Sequence, residues 1–81
     1  MAHEQSDEIR YEYVRGSDVD RDGVFLELDR VTGLQRETVC EVFYSDVDGW
    51  FTFTAYGSVP LPLEHVEELI RRARESLLPR P

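Results

Sequence analysis

Only one segment of this chain has helical periodicity, and that segment has to serve the whole fold. Within residues 62–78, Leu63, Val66, Ile70, Ala73 and Leu77 step by three, four, three and four, drawing one apolar stripe that Leu69 widens. Pro62 suits a first helical turn, where a missing N–H costs nothing, and Pro79 stops the helix. Glu64, Glu67 and Glu68 come early, and Arg71, Arg72 and Arg74 come late, as the helix dipole favours. Glu67 with Arg71 and Glu68 with Arg72 stand four residues apart, in pairs worth roughly 0.2–0.5 kcal/mol each.

Upstream, four runs alternate with the period of a strand. In residues 9–14, Ile9, Tyr11 and Tyr13 oppose Arg10, Glu12 and Val14. Residues 15–23 read as a loop closed by Asp22 and Gly23. In residues 24–29, Val24, Leu26 and Leu28 oppose Phe25, Glu27 and Asp29. A turn around Thr32 and Gly33 follows. In residues 37–45, Thr38, Cys40, Val42 and Tyr44 oppose Val39, Glu41 and Phe43. Asp48-Gly49 between two apolar runs is a hairpin signal. In residues 50–56, Phe51, Phe53 and Ala55 oppose Trp50, Thr52, Thr54 and Tyr56.

The sum is an α+β fold: a four-stranded antiparallel β-meander with one C-terminal helix packed on one face, in the order β-β-β-β-α. Residues 1–8 are expected to be a flexible N-terminus, 9–78 a single α+β domain and 79–81 a C-terminal tail. This element order resembles that of transcriptional coactivators that hold single-stranded DNA on a curved sheet as dimers, and of the related Whirly proteins. The resemblance is in order alone. The chain carries no motif of those proteins, so no function is transferred from them.

Charge narrows the function classes. The net charge is −8, and residues 1–60 account for all of it, with thirteen of the seventeen acids and five of the nine arginines. There is no lysine. Nucleic acid and anionic membranes call for a basic patch, so neither is an expected partner. No apolar run approaches the ~18 residues of a membrane span. Residues 1–8 are polar and acidic, the opposite of a secretory leader. Cys40 is the single cysteine, which excludes an internal disulfide and points to a reducing, cytoplasmic setting. The short chain and all-arginine usage suggest a small bacterial protein.

Material for catalysis is thin. Asp18, Asp20, Asp22 and Gly23 spell the opening of a calcium loop. Such a loop wants flanking helices and usually a Glu at its end. Here strands flank it and Asp29 stands at the last position, so it reads as a solvated acidic turn. His3 near the N-terminus is a copper-type site only in form. His65 could pair with Ser76 only across about 16 Å of helix, and no nucleophile motif surrounds Ser58. Cys40 lies on the expected core face and reads as a structural thiol. No catalytic residue, cofactor or metal ligand is assigned.

The sheet face opposite the helix holds large apolar side chains among carboxylates, and such clusters mark interfaces. Its expected contact residues are Phe25, Glu27, Val39, Glu41, Phe43, Trp50, Thr52 and Tyr56. The expected function is a non-enzymatic protein-interaction module, self-associating as a homodimer through this face or by pairing of an edge strand. The alternative is an immunity- or inhibitor-type protein neutralising a basic partner such as a nuclease toxin. An enzyme or carrier with a pocket between two sheets is a third reading, with Glu27 or Glu41 facing a cation.

Overall fold

The structure, a computed structural model, describes residues 8–79. The expected N-terminus, His3 included, lies outside the described residues except for Glu8, and so do the last two residues of the tail. Within them the order is β1 (Ile9–Asp18), β2 (Gly23–Thr32), β3 (Gln35–Ser45), β4 (Phe51–Ala55) and α1 (Leu63–Ser76). The strands form one antiparallel sheet in the order β1-β2-β3-β4, which is the expected meander.

The first two hairpins are longer than the alternation suggests, whereas β4 is shorter, Phe51–Ala55 rather than residues 50–56. β1 runs through Arg15, Gly16 and Ser17 to Asp18, so the expected nine-residue loop shrinks to residues 19–22. Gly, Ser and Asp favour turns, but here the ladder to β2 holds them extended, with Gly16 facing Phe25. The Asp18 carboxylate accepts the N–H groups of Asp20 (3.1 Å) and Arg21 (3.2 Å), and Asp22 takes a left-handed φ of 54°. β2 and β3 likewise continue to Thr32 and Gln35, leaving a two-residue loop in which Gly33 takes a φ of 61°.

One irregularity changes the faces. Leu28 pairs with Cys40 and Asp29 with Thr38, so Val39 is an extra residue in a β-bulge. Thr38 therefore joins Asp29 on the face away from the helix, and Val39 is buried in the core cluster. Both placements reverse the sequence expectation, because alternation carries no mark of an inserted residue.

The core lies between the sheet and α1. Leu26, Leu28, Cys40 and Val42 form a buried cluster with Leu69, Ala73 and Leu77 of the helix. α1 packs chiefly on β2 and less on β3. Polar contacts draw it toward β1. The Tyr13 hydroxyl donates to the His65 carbonyl at 3.3 Å, and Tyr11 stacks on the His65 ring at 4.6 Å. The Arg72 guanidinium sits 4.2 Å above the Tyr13 ring. Arg15 donates to the Ser76 carbonyl at 3.2 Å, satisfying one of the carbonyls a helix end leaves unpaired. On the surface of α1, Glu68 pairs with Arg72 as expected, whereas Arg71 takes Glu68 and Glu75 instead of Glu67.

On the β4 side the corresponding contacts are sparse. Arg74 lies 5.7 Å from the Phe51 ring centroid. Ile70, on the expected stripe, is 37% exposed, and Phe53, on the expected core face, is 47% exposed. The helix stripe is thus only partly used. Truncating fully buried Leu69 to Ala is expected to cost about 2–5 kcal/mol. That is a large share of the total for a chain this size, at roughly 0.05–0.15 kcal/mol per residue. Ile70→Ala in the monomer is expected to cost less than about 1 kcal/mol. Urea unfolding of the two variants at low protein concentration checks the orientation of α1, and equal losses would contradict it.

Candidate interaction surface

The face away from α1 is partly roofed by the chain's own arginines. Arg21 reaches back from the β1–β2 turn. It donates to both Glu41 carboxylate oxygens, at 3.2 and 3.0 Å, and to Asp18 at 2.5 Å. Its guanidinium lies 4.1 Å above the Phe43 ring. Beneath it Glu41 is 6% exposed and Phe43 is buried. Phe25 is half-buried, its ring lying across Gly16, where an added Cβ would fall 2.5 Å from the ring.

At the other end Arg36 does the same. It donates to Asp29 at 2.8 Å and also binds Glu12. Asp29 is 2% exposed, so its charge is held by hydrogen bonds rather than by water. Between the two arginines sits Glu27, beside Asp29 on the same strand and opposite Glu41 in register. Thr38 Oγ1 lies 3.1 Å from Glu27 and 2.9 Å from Asp29. One hydroxyl proton serves only one acceptor at a time. Burial, then the neighbouring Asp29, raises the Glu27 carboxyl above its ordinary value of 4.5.

The eight expected contact residues therefore divide. Val39 belongs to the core, and Glu41 and Phe43 lie under Arg21. Phe25 and Glu27 are half-buried in the middle of the face. Trp50 (69% exposed), Thr52 and Tyr56 remain open, and they lie together along β4 and its ends.

That margin has a further property, legible in the sequence. The fifteen residues 49–63 contain no charged side chain, in a chain that is 32% charged. Residues 52–60 of this run are all exposed. Beside it, on the helix side, Val42, Phe51, Thr52, Phe53, Ile70 and Arg74 line a groove of about 160 Å³.

The other chemical candidates find different uses. Asp18 is engaged by Arg21 and by the turn it caps. No group of three or more His, Cys, Asp or Glu among the described residues is placed to hold a metal ion. Burial pushes the Cys40 thiol up to about 11, which makes it a poor nucleophile. His65 is engaged with Tyr11 and Tyr13. No helix among the described residues is long and apolar enough to cross a membrane. Compared with known proteins, the chain matches no family model, no curated protein and no solved structure.

The raised Glu27 carboxyl has a measurable consequence. A carboxyl whose folded pKa is raised contributes stability below the ordinary carboxylate range, and that contribution is lost as pH rises through the raised value. Glu12, Asp18 and Glu68, lowered by their arginines, act in the opposite sense and below that range. Glu27→Gln is therefore expected to be more stable than the wild type at neutral pH and to lack the decline above pH 4.5. Thermal unfolding across pH checks this, and parallel profiles for the two proteins would contradict it.

Proposed function

We propose that this protein is a non-enzymatic protein-interaction module that works as a homodimer, with its contact surface along β4 and the adjoining open sheet face. The observation that carries this is the exposed, uncharged margin of residues 49–63 on a chain of net charge −8. Water-exposed aromatic groups such as Trp50, Phe53 and Tyr56, concentrated on one margin, match the composition of interface cores. Two acidic molecules meet there with the least like-charge repulsion. The central carboxylates Asp29 and Glu41 are already bound to arginines, so this face has less free charge than its sequence implies. The single buried Cys40 favours a reducing, cytoplasmic setting.

One observation supports a second reading, an inhibitor of a basic protein. The Asp46 N–H donates to the Asp22 carbonyl at 2.9 Å, joining the β1–β2 and β3–β4 turns. Exposed Asp20, Asp22, Asp46 and Asp48 gather at this end of the sheet. Such a patch speeds association with a basic partner.

Trp50 is the only tryptophan and reports on the margin. Its emission is expected to move to shorter wavelength as protein concentration rises, in step with a doubling of the mass measured by light scattering. Trp50→Ala is expected to weaken association about fivefold or more, as interface aromatics do when they contribute above roughly 1 kcal/mol. A monomeric wild type with concentration-independent emission would contradict the homodimer. If that monomer also retained a basic protein at low salt and released it at high salt, the second reading would replace the first.

A further inference from the structure

The free edge of β4 has a defined hydrogen-bonding pattern. The Ser45 N–H donates to the Trp50 carbonyl at 3.0 Å, and the Tyr56 N–H donates to the Val39 carbonyl at 2.9 Å. Residues along an antiparallel strand alternate between facing one neighbour and the other. Trp50, Thr52, Thr54 and Tyr56 therefore turn their backbone groups to β3, and Phe51, Phe53 and Ala55 turn theirs outward. β4 ends the sheet, and no hydrogen bond among the described residues reaches those outward groups.

Edge strands are normally guarded by charges, prolines or bulges. β1, the opposite edge, carries Arg10, Glu12, Arg15 and Asp18. β4, with the sequence Phe-Thr-Phe-Thr-Ala, carries no such guard.

We propose that a second copy of this chain pairs with β4 in antiparallel fashion, about a two-fold axis at Phe53. This rests on the homodimer reading above and specifies its contact. In that register Phe53 faces the partner's Phe53, and Phe51 faces the partner's Ala55. Every outward N–H and C=O of both strands gains a partner, and the two sheets become one of eight strands. Shifting the axis to Thr52 or Thr54 would set Ala55 opposite Gly49 or Phe51 opposite Gly57, outside the strand, and an axis between two residues would oppose outward groups with inward ones. Only about Phe53 do all three outward residues pair within the strand, in the isologous manner of a two-fold contact. The segment that meets its copy is uncharged, and residues 61–81 hold equal numbers of acids and arginines, so the pairing segments bring no net charge together. Phe53 and Ile70, the open wall of the groove beside β4, are covered on the helix side.

Ala55→Pro isolates the claim. The Ala55 N–H points outward, so proline there costs no bond to β3, and the extended Thr54 before it is the conformation proline prefers. The expected result in light scattering over a concentration series is a dimeric wild type and a monomeric Ala55→Pro with unchanged circular dichroism. As a second measurement, Phe53→Cys under mild oxidation is expected to form a disulfide with its own copy, whereas Leu34→Cys, at the exposed β2–β3 loop, is not. If Ala55→Pro stays dimeric and Phe53→Cys does not cross-link, strand pairing is overturned while the homodimer stands. A monomeric wild type overturns both.

Discussion

The packing of Leu69, Ala73 and Leu77 against Leu26, Leu28, Cys40 and Val42 holds this fold together, and its width sets what is left over. A helix with its side chains is about 10–12 Å across. Four strands at about 4.8 Å spacing make a sheet roughly 19 Å wide. One helix cannot cover that, so a strip of the inner face must remain open. Tyr11, Tyr13 and Arg15 of β1 hold the helix at His65, Arg72 and Ser76, so the open strip falls along β4. The exposure of Phe53 and Ile70 follows from where the helix is fastened, rather than from a lack of apolar residues to bury them.

The opposite face solves a different problem. It has no second layer of secondary structure, yet Asp29, Glu41 and Phe43 are buried there. Arg21 from the β1–β2 turn and Arg36 from the start of β3 supply the cover, as their long apolar stems and planar heads allow. Arg21 covers Phe43 while binding Glu41, and Arg36 binds Asp29 and Glu12. Desolvation offsets much of the attraction in such pairs, so they count for less in stability than in holding the face in one arrangement. Their effect on function is to close the centre of the face and leave β4 and its ends as the accessible apolar surface.

Much of this was legible in the residues. The helical stripe, the four alternating runs and Asp48-Gly49 are enough to place α1, the strands and the last hairpin. The bulge at Val39 is not, because counting by twos passes over an inserted residue, and that one residue sends Thr38 to the carboxylates and Val39 to the core. Gly16, Ser17 and Asp18 read as a turn because local preference says so, while the long-range ladder to β2 decides otherwise. Of the expected contact residues, Trp50, Thr52 and Tyr56 stay open because nothing packs over β4. Glu41 and Phe43 close because Arg21, twenty and twenty-two residues earlier in the chain, folds back onto them. The uncharged run of residues 49–63 was the readable signal for the margin, and a face-by-face count of apolar residues overlooks it.

The proposed dimer depends on β4 being an edge that its own copy completes. Residue-resolved amide hydrogen exchange tests this most directly, because the two sets of amides on β4 have different partners. The Thr52, Thr54 and Tyr56 N–H groups face β3 and are protected in the monomer. The Phe51, Phe53 and Ala55 amides are expected to exchange quickly at low concentration and to become protected as the protein is concentrated. Fast exchange of those three amides at every concentration, in a protein whose other strands are protected, would contradict the pairing.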